Sequence, residues 1–89
     1  MAYLQLPKRV FNSTLIEYTN FINGTHINLI RLIKPYANGI KYAVHETTKS
    51  PFCSNGLFKT LEQAEEKYKL MVKNAMYDSE ILNFGKLNN

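Results

Sequence analysis

The sequence is poor in the residues that build secreted, membrane-spanning or metal-binding domains. Its 89 residues include a single cysteine, Cys53, and no tryptophan. Small secreted domains are normally held together by an even set of paired cysteines, and a zinc site needs a full set of ligands at short paired spacings. No window approaches the roughly 18 apolar residues of a membrane span. We therefore expect a cytoplasmic protein without a metal and without a membrane partner.

Catalytic motifs are also missing. The histidines His26 and His45 could approach each other and Cys53 across a hairpin, but a Cys-His enzyme needs an activated thiolate and an orienting third group. Four scattered glycines form neither a P-loop nor a dinucleotide-binding fingerprint. We expect no enzymatic activity and no cofactor, and a chain that acts by binding a macromolecule.

What is present is enough for one folded domain with a thin core. Apolar residues make up 45% of the chain, which has six tyrosines and five phenylalanines, so it is not a disordered tail. Nine lysines stand against two arginines, and there are ten asparagines. Lysine and asparagine have AT-rich codons, and their frequent use predicts an AT-rich genome. A bacterium of that kind, or a phage or plasmid in a bacterial host cell, fits it.

The charge is uneven along the chain. The net charge is +4. Residues 1–59 hold seven basic and two acidic side chains, a net +5, whereas residues 60–89 hold four basic and five acidic side chains, a net −1. A positive field favours an anionic partner, although an ordinary solvated surface would also explain it.

The clearest element lies near the C-terminus. Thr60 and Gln63 form a capping-box pattern, and glutamates followed by lysines complement the helix dipole. The apolar residues that follow at helical spacing are Leu61, Ala64, Tyr68, Met71, Val72 and Ala75. The pattern predicts a helix from about Leu61 to Met76.

Strand signals precede this helix. Segment 40–46 alternates apolar and polar residues, the turn residues of 35–39 come just before it, and 27–33 is its hairpin partner. The apolar face of the alternating segment consists of Ile40, Tyr42 and Val44. Residues 50–56 have the composition of a second turn, and 57–59 of a short strand that leads into the helix.

Two segments are harder to interpret. Segment 14–22 is rich in strand formers and is followed by an Asn-Gly pair, which favours a strand, but Thr14 and Glu17 also fit a helical capping box. We expect the strand. Segment 78–89 is expected to be a short docked helix or a frayed, partner-binding tail. Together the patterns predict a single α+β domain over residues 1–89, in which an antiparallel meander of about three to four strands packs on one C-terminal helix.

The strand at 27–33 is apolar on both faces. Ile27, Leu29 and Ile33 lie on one face, and Ile30 and Leu32 on the other. A strand covered on one side only should alternate cleanly. The second face must therefore meet another part of the chain, a second copy in a homodimer, or a target.

Residues 40–77 resemble a family of DNA-binding modules. Phe58, Thr60 and Ala64 stand as in the Phe-x-Thr-x-x-x-Ala pattern with which the sheet ends in AP2-like domains and in the arm-binding domains of phage-type integrases. In that family the sheet enters the major groove, where a narrow ribbon fits. The resemblance implies that the sheet residues facing DNA are Arg31, Lys34, Lys41 and His45.

Aromatic side chains suggest a different partner. Interface energy concentrates in aromatic residues and arginine, and the candidate anchors are Tyr36, Phe52, Tyr77 and Phe84. Small size, a lack of catalytic groups and spare apolar surface fit a phage- or plasmid-encoded accessory protein. We expect it to inhibit or modulate a host protein or defence complex by steric blocking. The alternative is a module that reads DNA with its basic sheet.

Overall fold

The computed structural model describes residues 14–47 and 53–87. Within these ranges the chain forms five strands and one helix: β1 (Thr14–Phe21), β2 (His26–Arg31), β3 (Tyr42–Thr47), β4 (Cys53–Phe58), α1 (Leu61–Ala75) and β5 (Ile81–Lys86). All neighbouring strands are antiparallel, in the order β4-β3-β2-β1-β5. The predicted fold class, an antiparallel sheet packed on one C-terminal helix, is confirmed, with one strand more than expected.

The additional strand comes from the segment after the helix. Residues 81–86 form β5 and pair with β1, where a helix or a tail was expected. Asn83 pairs with Asn20 while Ile81 pairs with Phe21, so Leu82 is the extra residue of a β-bulge. The bulge places the apolar residues Ile81 and Leu82 next to each other, which breaks the alternation at the start of β5, and only the short stretch from Leu82 to Lys86 alternates.

Segment 14–22 is the strand that its composition favoured, since β1 covers most of it. The turn that follows is closed by two backbone bonds, from the amide of Gly24 to the carbonyl of Phe21 and from the amide of Phe21 to the carbonyl of Thr25. Gly24 has a φ of +92°, a conformation that glycine adopts without strain. The turn before β3 uses Gly39 in the same way, at a φ of +86°.

The predicted turn at 50–56 is wrong over its described part. Cys53–Gly56 belong to β4, which pairs without a shift in register along the whole of β3, from Thr47 opposite Cys53 to Tyr42 opposite Phe58. Turn-forming composition is a weak preference that pairing with a neighbouring strand can override. Residues 50–52 lie outside the described part of the chain.

The helix begins as its sequence predicts. The side chain of Thr60 accepts a hydrogen bond of 3.2 Å from the amide of Gln63, and Met76 is the C-cap. The buried residues of α1 are Ala64, Tyr68 and Met71. They face β2, β3 and β4.

The sheet carries an apolar cluster on each face. The cluster under α1 contains Phe21, Ile27, Leu29 and Val44 from the strands. The second cluster contains Ile30, Leu32 and Ala43, with Leu15, Tyr36 and Ile40 packed against them. The chain therefore covers part of the second face of β2 itself, as one of the predicted alternatives required.

Two residues differ from the predicted faces. Ile33 is 64% exposed because β2 ends at Arg31, before it. Ile40 precedes β3 and packs in the second cluster, so it does not share the face of Tyr42 and Val44.

A buried hydrogen bond joins the helix to β1. The hydroxyls of Tyr68 and Thr19 are 2.6 Å apart, and both side chains are buried. Burial raises the pKa of Tyr68 to about 12, the bond to Thr19 acts in the opposite direction, and the negative charge of Glu17 adds to the increase. The phenol therefore stays protonated and available for this bond.

We predict that Tyr68→Phe lowers the free energy of unfolding by about 1–2 kcal/mol, because it leaves the buried Thr19 hydroxyl without its partner. Urea denaturation followed by circular dichroism measures the change. Tyr77→Phe removes the same atom from a side chain that is 79% exposed, and should leave the midpoint unchanged. Equal midpoints for the native chain and Tyr68→Phe would contradict the prediction.

Candidate functional site

Large exposed apolar side chains lie in the turn after α1, on β5 and in the turn between β1 and β2. Tyr77 is 79% exposed and Phe84 71%, and Leu82, Ile22 and Met76 are also more than half exposed. We call these five residues the β5 surface. Tyr77 and Phe84 were predicted as anchors, whereas Leu82 was missed because the segment was not recognised as a strand.

Backbone bonds bring the parts of this surface together. The amide of Ile22 donates to the carbonyl of Glu80 at 2.9 Å, and the amide of Asn23 donates to Oγ of Ser79 at 3.1 Å. The turn between β1 and β2 is thus fastened to the link between α1 and β5. Ile22 therefore lies beside the start of β5 although it is distant in sequence.

The β5 surface lies at an edge of the sheet. Within the residues that the structure describes, β5 pairs with β1 and with no other strand. Phe84 pairs with Thr19 of β1. The hydroxyl of Thr19 is hydrogen-bonded to Tyr68 of α1. An exposed apolar group on an edge strand is typical of a protein-binding surface.

The basic candidates gather at one end of the sheet. Arg31, Lys34 and Lys41 are all exposed, at the end of β2 and in the connection to β3. The amide of Lys41 donates to the carbonyl of Phe58 at 3.0 Å, which puts the exposed Lys59 at the same end. Sequence reasoning missed Lys59, although its position directly after a strand that leads into the helix could have indicated it.

Two aromatic candidates are not part of the β5 surface. Tyr36 is half-buried and packs against the second apolar cluster. Phe52 lies outside the described residues. Of the four predicted aromatic anchors, the structure leaves Tyr77 and Phe84 exposed.

His45 occupies a different environment from the one expected. Its side chain is fully buried, on the face of β3 opposite Val44 and α1. Nδ1 is 3.4 Å from Oγ1 of Thr47, and Nε2 has no hydrogen-bond partner among the residues that the structure describes. Burial lowers the pKa of His45 below its usual value. The expectation that His45 faces a partner is not met, because alternation along β3 turns it into the interior.

The other histidine belongs to a polar row across three strands. Nδ1 of His26 donates to Oδ1 of Asn20 at 2.7 Å, and Nδ2 of Asn20 donates to Oδ1 of Asn83 at 2.8 Å. His26 lies opposite Thr47, so it is a diagonal neighbour of His45. Among residues 14–47 and 53–87, no group of His, Cys, Asp and Glu side chains is arranged to hold a metal ion.

Comparison with known proteins gives no further guide to this site. No family model matches the sequence, and neither a curated protein nor a solved structure matches it. Over the part of the chain that the structure describes, no helix is both long and apolar enough to cross a membrane.

We predict that the free energy of unfolding decreases as the pH falls below about 6.5. The folded-state pKa of His45 is lowered from its usual 6.5, so at acidic pH the unfolded chain binds a proton there that the folded chain does not. Stability therefore rises with pH across this window and is independent of His45 above about pH 7.5. Denaturant midpoints measured from about pH 7.5 to 5 test this.

The matched variants are His45→Gln and His26→Gln. The first removes the buried imidazole and should flatten the decrease between about pH 6.5 and 5. The second removes a half-buried histidine, and the free energy of unfolding of this variant should still decrease as the pH falls. If the free energy of unfolding of His45→Gln decreases with falling pH as much as that of the native chain, another group causes the effect.

Proposed function

We propose that this chain is a non-enzymatic binding protein that attaches to a protein partner through the β5 surface and blocks part of that partner sterically. The observation that carries the proposal is the exposure of Tyr77, Leu82 and Phe84 at an edge of the sheet. Large apolar side chains usually lie in a core, and a group of them at an edge marks an interaction site.

The aromatic pair suits the role of anchors. Tyrosine and phenylalanine bury a large area while few rotatable bonds are fixed. Tyr77 lies in the turn that follows α1, and Phe84 lies on a strand held by β1. Both therefore have backbones fixed before binding, which lowers the entropy lost on association.

The partner that we propose is a host protein or nucleoprotein complex of a bacterial cell, with the chain encoded by a phage or a plasmid. The lysine- and asparagine-rich composition supports such a source. The exposed apolar side chains support blocking as the mechanism, since binding through them covers part of the partner's surface.

We expect Tyr77→Ser and Phe84→Ser each to weaken partner binding by about tenfold or more, as truncation of an aromatic anchor typically does. The immobilised native chain is used to capture proteins from nuclease-treated bacterial lysate, and the affinity of the captured protein is then measured for each variant. Ile33→Ser is the control, because Ile33 is 64% exposed on a loop away from the β5 surface. Equal losses for all three variants would contradict the proposal.

A second candidate function has one specific observation in its favour. Arg31, Lys34, Lys41 and Lys59 are exposed at one end of the sheet, and such a group of cations attracts phosphates. Nucleic-acid binding would then use this end of the sheet rather than the face on which His45 is buried.

A titration against random duplex DNA separates the two functions. We expect little binding at moderate salt, because a group this small neutralises few phosphates. If DNA binding is the function, affinity is high and falls steeply with salt, and combining Arg31→Glu with Lys41→Glu lowers the salt slope by about two. Lys69→Glu with Lys73→Glu, on the exposed side of α1, is the matched control. The mass in solution, recorded in the same samples, reports a homodimer.

A further inference from the structure

A groove runs along the opposite edge of the sheet, between β4 and α1. Near the start of the helix it opens to about 490 Å³, with Phe58 as its floor and Leu70 on its wall. Towards the end of the helix it continues for about 380 Å³ over Gly56 and past Met71. The side chain of Lys67 borders both parts and connects them. We call the two parts together the β4 groove.

The floor of the groove depends on a glycine in a strand. A Cβ atom at Gly56 would lie 2.8 Å from the ring of Phe58, so the ring occupies the space that a side chain would need. Phe58 and Gly56 are two residues apart on the same face of β4, a distance of about 6.6–6.8 Å along the strand. The groove therefore has two adjoining positions, each opposite one of these residues.

The two positions differ in chemistry. The one at Phe58 is apolar, since Phe58 is half-buried and the exposed half of Leu70 faces the same space. The one at Gly56 is lined by the carboxylates of Glu46 and Asp78. Glu46 is half-buried, and in the described ranges the ion pair formed is that of Lys86 with Glu65 at 3.8 Å. Two carboxylates and the ammonium group of Lys67 thus line the cleft, and neither carboxylate forms an ion pair among the described residues.

β4 is the outer strand of the described sheet on the side away from β5. Its register with β3 is regular over all six of its residues, and within the described residues β4 has no other neighbour. A regular edge strand beside a helix is a geometry in which an extended peptide adds to the sheet by backbone hydrogen bonds, with alternate side chains entering the adjoining pockets.

We propose that the β4 groove binds an extended, basic peptide segment of a protein partner as an additional strand. An apolar side chain of that segment packs on Phe58 and Leu70. A lysine or arginine two positions away approaches Glu46 and Asp78, where it replaces water around two carboxylates with a charge-assisted contact. β4 and β5 lie at opposite edges of the sheet, and the groove shares no residue with the β5 surface, so this proposal is independent of the function proposed above.

The charge of the groove selects the occupant. The whole chain carries +4, which disfavours a basic ligand in general, whereas the groove has three carboxylates, those of Glu46, Glu66 and Asp78, against Lys67. A preference for a basic segment must therefore come from the groove itself. The phosphates of a nucleic acid would meet these carboxylates and be repelled.

The test is a titration of the isotope-labelled full chain with capped heptapeptides, followed through its amide resonances. The probes contain leucine and arginine two positions apart among threonines, in either order, because the direction of the added strand is open. A counterpart has glutamate in place of arginine. We expect shifts confined to β4 and the facing side of α1, and at least about fivefold tighter binding of one arginine peptide than of its glutamate counterpart.

Two doubly neutralised variants serve as a matched pair. Glu46→Gln with Asp78→Asn removes both carboxylates from the groove and should bring the arginine-to-glutamate affinity ratio close to one. Glu62→Gln with Glu80→Gln removes the same charge from exposed positions outside the groove and should leave the ratio intact.

Three results would overturn the proposal: no binding of either arginine peptide, equal binding of arginine and glutamate peptides to the native chain, or shifts that map to β5. Each would leave the β5 surface untested and the function proposed for it standing, because none of the variants alters Tyr77 or Phe84. Conversely, a Phe84→Ser variant that loses partner capture but binds the peptides with unchanged affinity would show that the two surfaces act independently.

Discussion

One helix is too narrow to cover a whole face of the five-stranded sheet, and the rest of the structure depends on this difference in width. Neighbouring strands lie about 4.8 Å apart, so the sheet is about 19 Å wide between its outer strands, whereas a helix with its side chains is about 10–12 Å across. The helix packs on β2, β3 and β4, and leaves the β1 and β5 part of the same face less covered. Phe84 lies on this less covered part, which is why an apolar side chain in a strand is 71% exposed.

Apolar side chains of β1 and β5, those of Phe21, Ile16 and Ile81, pack in the cluster under the helix, and two polar contacts also join the helix to these strands. The Tyr68 hydroxyl reaches Thr19 on β1, and Glu65 reaches Lys86 on β5. The first contact is buried and its loss leaves an unsatisfied hydroxyl. The second is solvated and contributes little to stability. The position of α1 relative to β1 is therefore set mainly by one buried hydrogen bond and by the apolar cluster around it.

Much of the fold was predictable because it follows from local patterns. The Thr60 cap, the stripe through Ala64, Tyr68 and Met71, and the alternation of β3 each specify an element without reference to the rest of the chain. β5 was not predictable in this way, because the bulge at Leu82 breaks its alternation. The anchors Tyr77 and Phe84 were predicted as aromatic candidates, but the carboxylates of the β4 groove were not, since Glu46 and Asp78 meet only after the chain has folded.

The two edges of the sheet differ in the regularity of their strand pairing, and the two proposed modes of binding follow this difference. At β5 the bulge interrupts the ladder, and an interrupted ladder presents a poor template for a further strand. At β4 the ladder is regular and the strand borders a groove. In the two modes of binding that we propose, contact at β5 depends on side chains such as Tyr77 and Phe84, whereas at β4 the backbone takes part. This difference arises because the helix packs on β2, β3 and β4 and leaves β5 less covered.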